Sequence, residues 1–429
     1  MKRMSVLMLI GLVFVAPDSY AERKSWQEIG KGSASGVGIS DTHGFSERPS
    51  LAMDSAGNPV VAWADNTPTN YEIYVRRWNG MKWVGVSDES AWAGGISNNP
   101  YRSGDCSMVL DRLDRPVIAW YDNSFRLLYE IYIRRWDGEN WVEIGDHSAT
   151  GGGITNNMGK SGIPVLALDD KDNPIVAFPD GSSGDFSEIY VKRWDGENWV
   201  EMGEGSASGG GISNNPGGSG NPSIAVDKSG KPVIAWQDFS SGTFEIYIKR
   251  WDGTSWVEVG LDSSRKGGIS NTTGFSEFPS LALDSKGKPV VAWRDDSSGN
   301  DEIYIRRWNG KKWVETGKHS ASGGGISNDS AASHGPSLVI DSMDNPVVAW
   351  WSREGESSDI YVRRWNGKKW VEAGKGSASE RGVSNTVHSS WFPRLAIDKN
   401  DNLVVVWQDV SGGNTVGGNF EIYIKKYAP

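Results

Sequence analysis

The sequence predicts an all-β protein, a seven-bladed β-propeller whose blades are four-stranded antiparallel sheets. Three observations predict this fold. A repeat returns along the chain at steps of 57 to 62 residues, each repeat divides into four short strand-like runs, and the two ends of the chain hold complementary parts of one repeat. Repeats of this length are typical of propellers and solenoids.

The repeat is most visible in the stretch EIYIRRWNGKKW at residues 302–313, which recurs with small changes in every unit. Its first tryptophan marks six units, and Tyr427 stands at the same place in a seventh. A second marker, the aspartate that ends segments such as SLALD, returns independently in all seven units. The tryptophan markers are Trp78, Trp136, Trp194, Trp251, Trp308 and Trp365.

Within residues 279–317 the four runs are SLAL, PVVAW, EIYIRRW and KWVETG, and turn residues separate them. Asn309-Gly310 between the third and fourth runs is a strong hairpin signal. PVVAW is apolar at consecutive positions, so both faces of that strand should be covered. A radial stack of small sheets buries both faces of each sheet between its neighbours, which favours the propeller.

The chain ends decide between a closed ring and a linear solenoid. The last unit stops at EIYIKKYAP and lacks its fourth run, whereas SWQEIG at residues 25–30 reads as a fourth run with no others before it. We therefore expect residues 26–29 to pair with residues 422–426, so that the N-terminal strand completes the last blade and closes the ring. A solenoid would instead need capping units.

Residues 1–21 read as a signal peptide, with a basic start, an apolar run and small residues before the expected cleavage after Ala21. The rest, residues 22–429, is expected to be one propeller domain, secreted or periplasmic. A single cysteine, Cys106, allows no internal disulfide. The net charge of −10 argues against nucleic acid as a partner, and no further apolar run predicts insertion in a membrane.

The tryptophan-rich blades resemble those of secreted bacterial β-propellers, and the resemblance extends over the whole mature chain. LDSKGKPVVAW at residues 283–293 is similar to part of the Asp-box of sialidase propellers, and the blade number is similar to that of seven-bladed bacterial lectins. The resemblance implies the fold; activity has to be argued from a site.

The long connections between units and the variable connections between second and third strands should share one face, the loop face, where binding is expected. Paired carboxylates flank the variable connections. Each pair suits Ca²⁺ or sugar hydroxyls, or else accepts hydrogen bonds from neighbouring loops; no motif specifies a cofactor or another metal. The pairs are Asp65 with Glu72, Asp122 with Glu130, Asp180 with Glu188, Asp238 with Glu245, Asp295 with Glu302, and Asp409 with Glu421.

Two tryptophans outside the repeat pattern, Trp92 and Trp391, are candidates to stack on sugar rings as exposed aromatics. The five histidines fall within long connections at no metal-ligand spacing, and we expect them to be solvated there. Unrepeated arginines are candidates to gather around an anionic substrate. They are Arg48, Arg102, Arg126, Arg265, Arg353, Arg381 and Arg394.

The first reading is a non-enzymatic exported protein whose loop face binds an extracellular glycan or a cell-surface protein. A protein-interaction scaffold and a sialidase-like or other carbohydrate-active hydrolase are the alternatives. An enzyme should have one asymmetric pocket at the axis or between two blades, with the unrepeated arginines converging on it. A lectin should repeat shallow pockets around the ring, and a scaffold should have neither.

Overall fold

A computed structural model describes residues 25–67, 70–125, 128–184, 186–410 and 419–428. Over these residues the regular structure consists of 28 β-strands in seven four-stranded antiparallel sheets. No helix in the described part of the chain is long and apolar enough to cross a membrane. The predicted signal peptide lies outside the described residues.

The first strand of the chain, β1 (Gln27–Glu28), belongs to the last blade. Blade 1 contains β2 (Ser46–Met53), β3 (Pro59–Asp65), β4 (Glu72–Trp78) and β5 (Trp83–Gly85). Blade 2 contains β6 (Ser103–Leu110), β7 (Pro116–Asp122), β8 (Glu130–Trp136) and β9 (Trp141–Glu143). Blade 3 contains β10 (Val165–Leu168), β11 (Pro174–Asp180), β12 (Glu188–Trp194) and β13 (Trp199–Glu201).

The remaining blades repeat this order. Blade 4 contains β14 (Ser219–Val226), β15 (Pro232–Asp238), β16 (Glu245–Trp251) and β17 (Trp256–Glu258). Blade 5 contains β18 (Ser276–Leu283), β19 (Pro289–Asp295), β20 (Glu302–Trp308) and β21 (Trp313–Glu315). Blade 6 contains β22 (Ala332–Ile340), β23 (Pro346–Glu354), β24 (Ser357–Trp365) and β25 (Trp370–Glu372), and blade 7 contains β26 (Ser390–Ile397), β27 (Leu403–Asp409) and β28 (Glu421–Tyr427).

The two ends of the chain meet in blade 7, as predicted. Its strand order is β1-β28-β27-β26, with Gln27 opposite Lys426 and Glu28 opposite Lys425. Trp26 extends the join by donating its indole N–H to the Ala373 carbonyl of blade 6 at 2.8 Å. The ring is therefore closed by non-covalent strand pairing, which covers the outer edge of β28.

The core lies between blades. The second strand of each blade is almost completely buried, and its aromatic residue packs on a tyrosine of the third strand, as Trp63 does on Tyr74 with ring centroids 6.1 Å apart. The apolar side chains form separate clusters, each shared by two neighbouring blades. Consecutive apolar residues in PVVAW-like strands are explained by these two-sided contacts.

Repeated side chains also bind neighbouring blades to each other. The first basic residue of each IYIRR-like segment donates to a loop carbonyl of the preceding blade, as Arg306 Nη1 does to Ile269 O at 2.6 Å. In every blade except the second, the indole N–H of the tryptophan in or next to the fourth strand also donates to a carbonyl of the preceding blade, as Trp313 Nε1 does to Val259 O at 2.8 Å. The recurring stretch typified by EIYIRRWNGKKW therefore stabilises the contacts between neighbouring blades.

The first strand of each blade faces the axis. In every blade except the third this strand is longer than the predicted SLAL segment, and its pairing with the second strand is interrupted by a β-bulge. In blade 1 the bulge lies between Glu47 and Ser50. A bulge turns a side chain away from the regular alternation, and here it lies at the loop-face end of the strand.

Candidate functional site

The first strands enclose an axial channel with a cavity of about 240 Å³, which residues from all seven blades line. Most of the lining is proline, serine and small apolar side chains. The charged residues among those that line it are Arg48 from blade 1, Asp105 from blade 2 and Arg394 from blade 7. Three adjacent blades therefore make an otherwise regular channel asymmetric.

One position of the first strand forms what we call the axial collar. It is serine in five blades, and each of these hydroxyls accepts a hydrogen bond from a backbone N–H of the next blade, as Ser50 Oγ does from Met108 N at 3.0 Å. Blades 3 and 7 break the pattern with Val165 and Arg394. The collar comprises Ser50, Ser107, Val165, Ser223, Ser280, Ser337 and Arg394.

The charged cluster of the channel has one short ion pair. Arg48 Nε lies 3.0 Å from Asp105 Oδ1, and the Arg48 guanidinium lies over the Phe392 ring at 4.3 Å from its centroid. Burial raises the pKa of Asp105, although Arg48 and Arg394 act in the opposite direction. Cys106 lines the same cavity, and burial raises the pKa of its thiol to about 12, so it is a neutral thiol there.

The residue two positions before the collar residue has a strained backbone in several blades. Arg48, Asp105, Phe278 and Phe392 have φ of 50°, 32°, 54° and 53°. Side chains with a Cβ rarely occupy this left-handed region, and such strain persists where the surrounding structure enforces it, often at functional sites. The bulges thus hold the least repeated side chains at the loop-face mouth of the channel.

An aromatic groove of about 340 Å³ lies at this mouth and crosses blades 6, 7 and 1. Trp391 meets Phe420 edge-on, with ring centroids 5.8 Å apart and planes at 84°. Trp391 was predicted to be an exposed aromatic; it is only partly exposed, because it belongs to β26 and packs on this ring. The groove is lined by Glu47, Arg48, Trp351, Trp391, Phe392, Gln408 and Phe420.

At the blade 6 side, the groove is backed by a histidine that pairs with an aspartate. His334 stacks on Trp351 with centroids 4.4 Å apart, and its Nε2 lies 3.3 Å from Asp301 Oδ2. Arg294 Nη2 binds Asp301 Oδ1 at 2.5 Å. Burial, with repulsion by Arg294 and Arg353, lowers the pKa of His334 despite Asp301.

The sequence-based placement of His334 in a long connection is wrong, because the residue belongs to β22. The bulge lengthens the first strand beyond SLAL-like segments, and that extension includes His334. The residue is therefore half-buried against an aromatic ring, where we had expected a solvated loop side chain.

At the blade 1 side, a tyrosine and a glutamate lie together. Tyr71 donates its hydroxyl to Glu47 Oε1 at 3.0 Å, and the Arg102 guanidinium lies over the Tyr71 ring at 4.5 Å from the centroid. Burial and Glu47 raise the pKa of Tyr71 to about 12. The mouth thus has a pair of ionisable side chains at each end of the aromatic groove.

The predicted carboxylate pairs are placed as expected, directly across neighbouring strands, as Asp65 is from Glu72. All of them are buried. Asp65 Oδ2 accepts from Ser46 Oγ at 2.6 Å, and Glu72 Oε2 accepts from Ser97 Oγ of the following connection at 2.5 Å. This geometry favours loop anchoring, whereas a ligand role for these residues stays a prediction.

The same arrangement occurs in the other blades. The aspartate accepts from a serine at the start of the first strand, or in blade 3 from Ser161, which precedes that strand. The glutamate accepts from a serine or threonine of the long connection. The residues concerned are Asp122, Glu130, Asp180, Glu188, Asp238, Glu245, Asp295, Glu302, Asp409 and Glu421.

Trp92 lies apart from the mouth. Its side chain is 63% exposed, and it borders a rim cleft of about 320 Å³ beside Trp83 and Arg76. A comparable cleft of about 650 Å³ lies beside Trp370 and Arg363 of blade 6, at corresponding positions of the repeat. Within the described ranges, no group of three or more His, Cys, Asp or Glu residues is arranged to hold a metal ion.

Reasoning from the sequence identified Arg48, Arg394 and Trp391 as unrepeated but did not bring them together, and it missed Asp105 and Tyr71. Of the other unrepeated arginines, Arg102 lies at the mouth, Arg265 pairs with Asp262 on an exposed connection, and Arg126 is outside the described residues. Superposing the seven first strands would have supplied a signal, because Cys106 replaces a proline and Arg394 replaces a serine.

No family model matches the chain, and no curated protein matches it in sequence. Solved structures do match. An ulvan lyase of a new family of polysaccharide lyase, bound to -[GlcA(1-4)Rha3S]-, matches with a TM-score of 0.51 and 11% identity over 94% of each chain. An α-L-arabinanase of Penicillium chrysogenum complexed with arabinobiose matches with a TM-score of 0.41 and 10% identity, over 89% of this chain and 92% of that chain. At such identities the likeness shows the fold alone.

Proposed function

We propose that this protein is a carbohydrate-active propeller that binds a polysaccharide along the aromatic groove and acts on it at the mouth of the axial channel. One observation carries the proposal. The unrepeated arginines Arg48 and Arg394 reach one asymmetric cavity at the axis, which is the arrangement expected of an enzyme. The first reading, a binding protein with equivalent sites, has less support.

The chemistry of the groove suits a sugar chain. Trp391, Phe392 and Phe420 offer ring faces and edges to the apolar faces of sugars, and Glu47 and Arg48 at the same groove can bind hydroxyls. Pockets of this kind, mostly apolar with a few convergent polar groups, are the usual form of small-molecule sites. The matching fold of a sugar-bound polysaccharide lyase agrees with this assignment.

The ionisable pairs favour catalysis over binding alone. Glu47 with Tyr71 and Asp301 with His334 lie at opposite ends of the groove, and each pair joins a proton acceptor to a proton donor. Export, which residues 1–21 predict, would place the protein where polysaccharides occur.

Binding is tested by native gel electrophoresis with different polysaccharides, neutral and acidic, cast into the gel. We expect at least one polymer to retard the protein and Trp391→Ala to abolish the retardation. Trp92→Ala is the matched control and should migrate like wild type. If Trp92→Ala loses retardation and Trp391→Ala keeps it, the site lies at the rim, and the non-enzymatic multivalent reading replaces ours.

Catalysis is tested on the retarding polymer by following new reducing ends together with the ultraviolet absorbance of unsaturated sugar products. We expect product from the wild type and at least a hundredfold loss in Glu47→Gln or Tyr71→Phe, consistent with the usual value of a proton-transfer group. Retardation without product at any pH between 5 and 9 would instead establish a binding protein.

A further inference from the structure

We propose that the axial channel is an oxyanion-binding site centred on the Arg394 guanidinium. The anion is a carboxylate or sulfate, supplied either by an acidic sugar bound in the aromatic groove or by a free small anion. The first source rests on the proposed function; the second does not. Neither the repeat nor the groove itself requires this site.

Arg394 forms no close ion pair with the described residues: burial lowers the pKa of its guanidinium, and Asp105 acts in the opposite direction without contacting it. Asp105 is engaged by Arg48 at 3.0 Å, and no carboxylate of the described residues lies within 4.0 Å of the Arg394 guanidinium. Its hydrogen bond to protein is a long one, from Nη1 to Pro393 O at 3.4 Å. Since a guanidinium carries five N–H donors and stays protonated, most of the Arg394 donors have no hydrogen bond to the described residues, and the side chain lines the cavity.

The surroundings suit an oxyanion. Ser337 and Ser50 occupy the collar positions of the blades on either side of Arg394, and their oxygens accept from Leu395 N at 2.9 Å and Met108 N at 3.0 Å. Their hydroxyl protons are therefore available to donate. A guanidinium binds carboxylate or sulfate through two parallel hydrogen bonds. The cavity of about 240 Å³ admits such a group but not a run of sugar units.

The repeat itself shows that Arg394 is not needed for the fold. Five blades have serine at this position, and each makes a hydrogen bond to the next blade that Arg394 does not make to Leu51. Blade 7 gives up this bond and places a second arginine in the channel, near Arg48 and Asp105. The chain has a net charge of −10, so a general attraction of the protein for anions does not explain why arginine replaces serine at this position.

The test uses Arg394→Ser, which restores the collar serine, and Arg394→Lys, which keeps the charge but loses the two-pronged geometry. Arg265→Ser removes an exposed arginine paired with Asp262 and is the matched control. Isothermal titration calorimetry with sodium sulfate, sodium glucuronate and uncharged glucose, at constant ionic strength, measures the affinity of each protein. Thermal melting in anion-poor buffer confirms that each variant is folded.

We expect wild type and Arg265→Ser to bind sulfate or glucuronate but not glucose, Arg394→Ser to bind at least tenfold more weakly, and Arg394→Lys to be intermediate. Sulfate binding indicates a free anion, and binding of glucuronate alone indicates the sugar source. Equal anion affinity of Arg394→Ser and wild type overturns the site, as does wild type that binds neither anion. Polysaccharide retardation that depends on Trp391 would be unaffected by such a result. The anion site and the proposed function can therefore be contradicted independently.

Discussion

The walls between blades and the mouth of the axial channel are built from the same seven repeats but in opposite ways. In the walls each blade uses the same side chains for the same purpose, so that Arg306, Arg134 and Lys249 all donate to a loop carbonyl of the preceding blade. At the mouth, equivalent positions hold Glu47, His334 and Trp391. Positions with the same side chain in every blade therefore stabilise the ring, whereas positions whose side chain differs between blades can give the mouth its chemistry.

The largest effect should come from opening the ring. Deleting residues 22–30 removes β1, exposes the edge of β28 and removes the indole bond of Trp26. We expect a loss of at least about 4 kcal/mol in the free energy of unfolding, or no cooperative transition at all. A synthetic peptide of residues 22–30 should restore part of the melting temperature, and an unchanged melting curve without the peptide would contradict ring closure.

One substitution made in both regions compares them directly. Trp236 is fully buried in the wall and donates to Asp238 Oδ2 at 3.0 Å, so Trp236→Ala should cost about 3 to 5 kcal/mol. Trp391→Ala at the mouth should cost about 1 kcal/mol or less and act on polysaccharide retardation. Urea unfolding measures both, and equal costs would remove the distinction between wall and mouth.

The buried glutamates that accept hydrogen bonds from the long connections predict a dependence of stability on pH. Burial raises the pKa of Glu130 and Glu245 to about 7 and that of Glu421 to about 8, from 4.5 in the unfolded chain. A raised pKa means that the folded state holds the proton more tightly. Their contribution is complete below pH 4.5 and is lost as pH rises through about 7 to 8.

We therefore expect the melting temperature to fall by several degrees between pH 5 and pH 8. Glu421→Gln should reduce that fall, whereas Glu139→Gln, an exposed turn residue, should not. Differential scanning calorimetry at fixed ionic strength gives the comparison. A melting temperature that rises over this range would show that these carboxyls are ionised in the folded protein.

Within the wall, a smaller loss of stability than that of Trp236→Ala should come from removing one contact between blades. Arg306→Ala removes the bond to Ile269 O and should cost about 1.5 kcal/mol. Arg306→Lys should be close to neutral, since Lys192 and Lys249 make the same contact at 2.7 Å in their own blades. Equal losses in the two variants would mean that the planar guanidinium, not the donated bond, stabilises the wall.

The fold was predictable because its determinants are local and occur seven times. Turns like Asn309-Gly310 and strands like PVVAW recur along the chain, and the two parts of the last blade complement each other. A unit whose own sequence is ambiguous can therefore be assigned from the other units. The closing pairs, Gln27 with Lys426 and Glu28 with Lys425, confirm the pairing that the chain ends predicted.

The site was less predictable because its geometry depends on the bulges. Arg48 and Phe392 adopt positive φ, a conformation usually associated with glycine, so the sequence gives no sign that these side chains turn to the mouth. The extension of β22 to His334 depends on the same bulge. Deviation from the repeat identified Arg48, Arg394 and Trp391, whereas only three-dimensional structure places them around one cavity.

The axial collar has a consequence for engineering. Each collar serine is held by a single contact with the next blade, and blade 3 tolerates Val165 at that position. The collar thus has one corresponding position in each of the seven blades, spaced around a single axis. A new side chain can be introduced at these positions with little loss of stability. Pairs or triads of ligands for an anion, a sugar or a metal can be composed around the ring by choosing which blades to substitute.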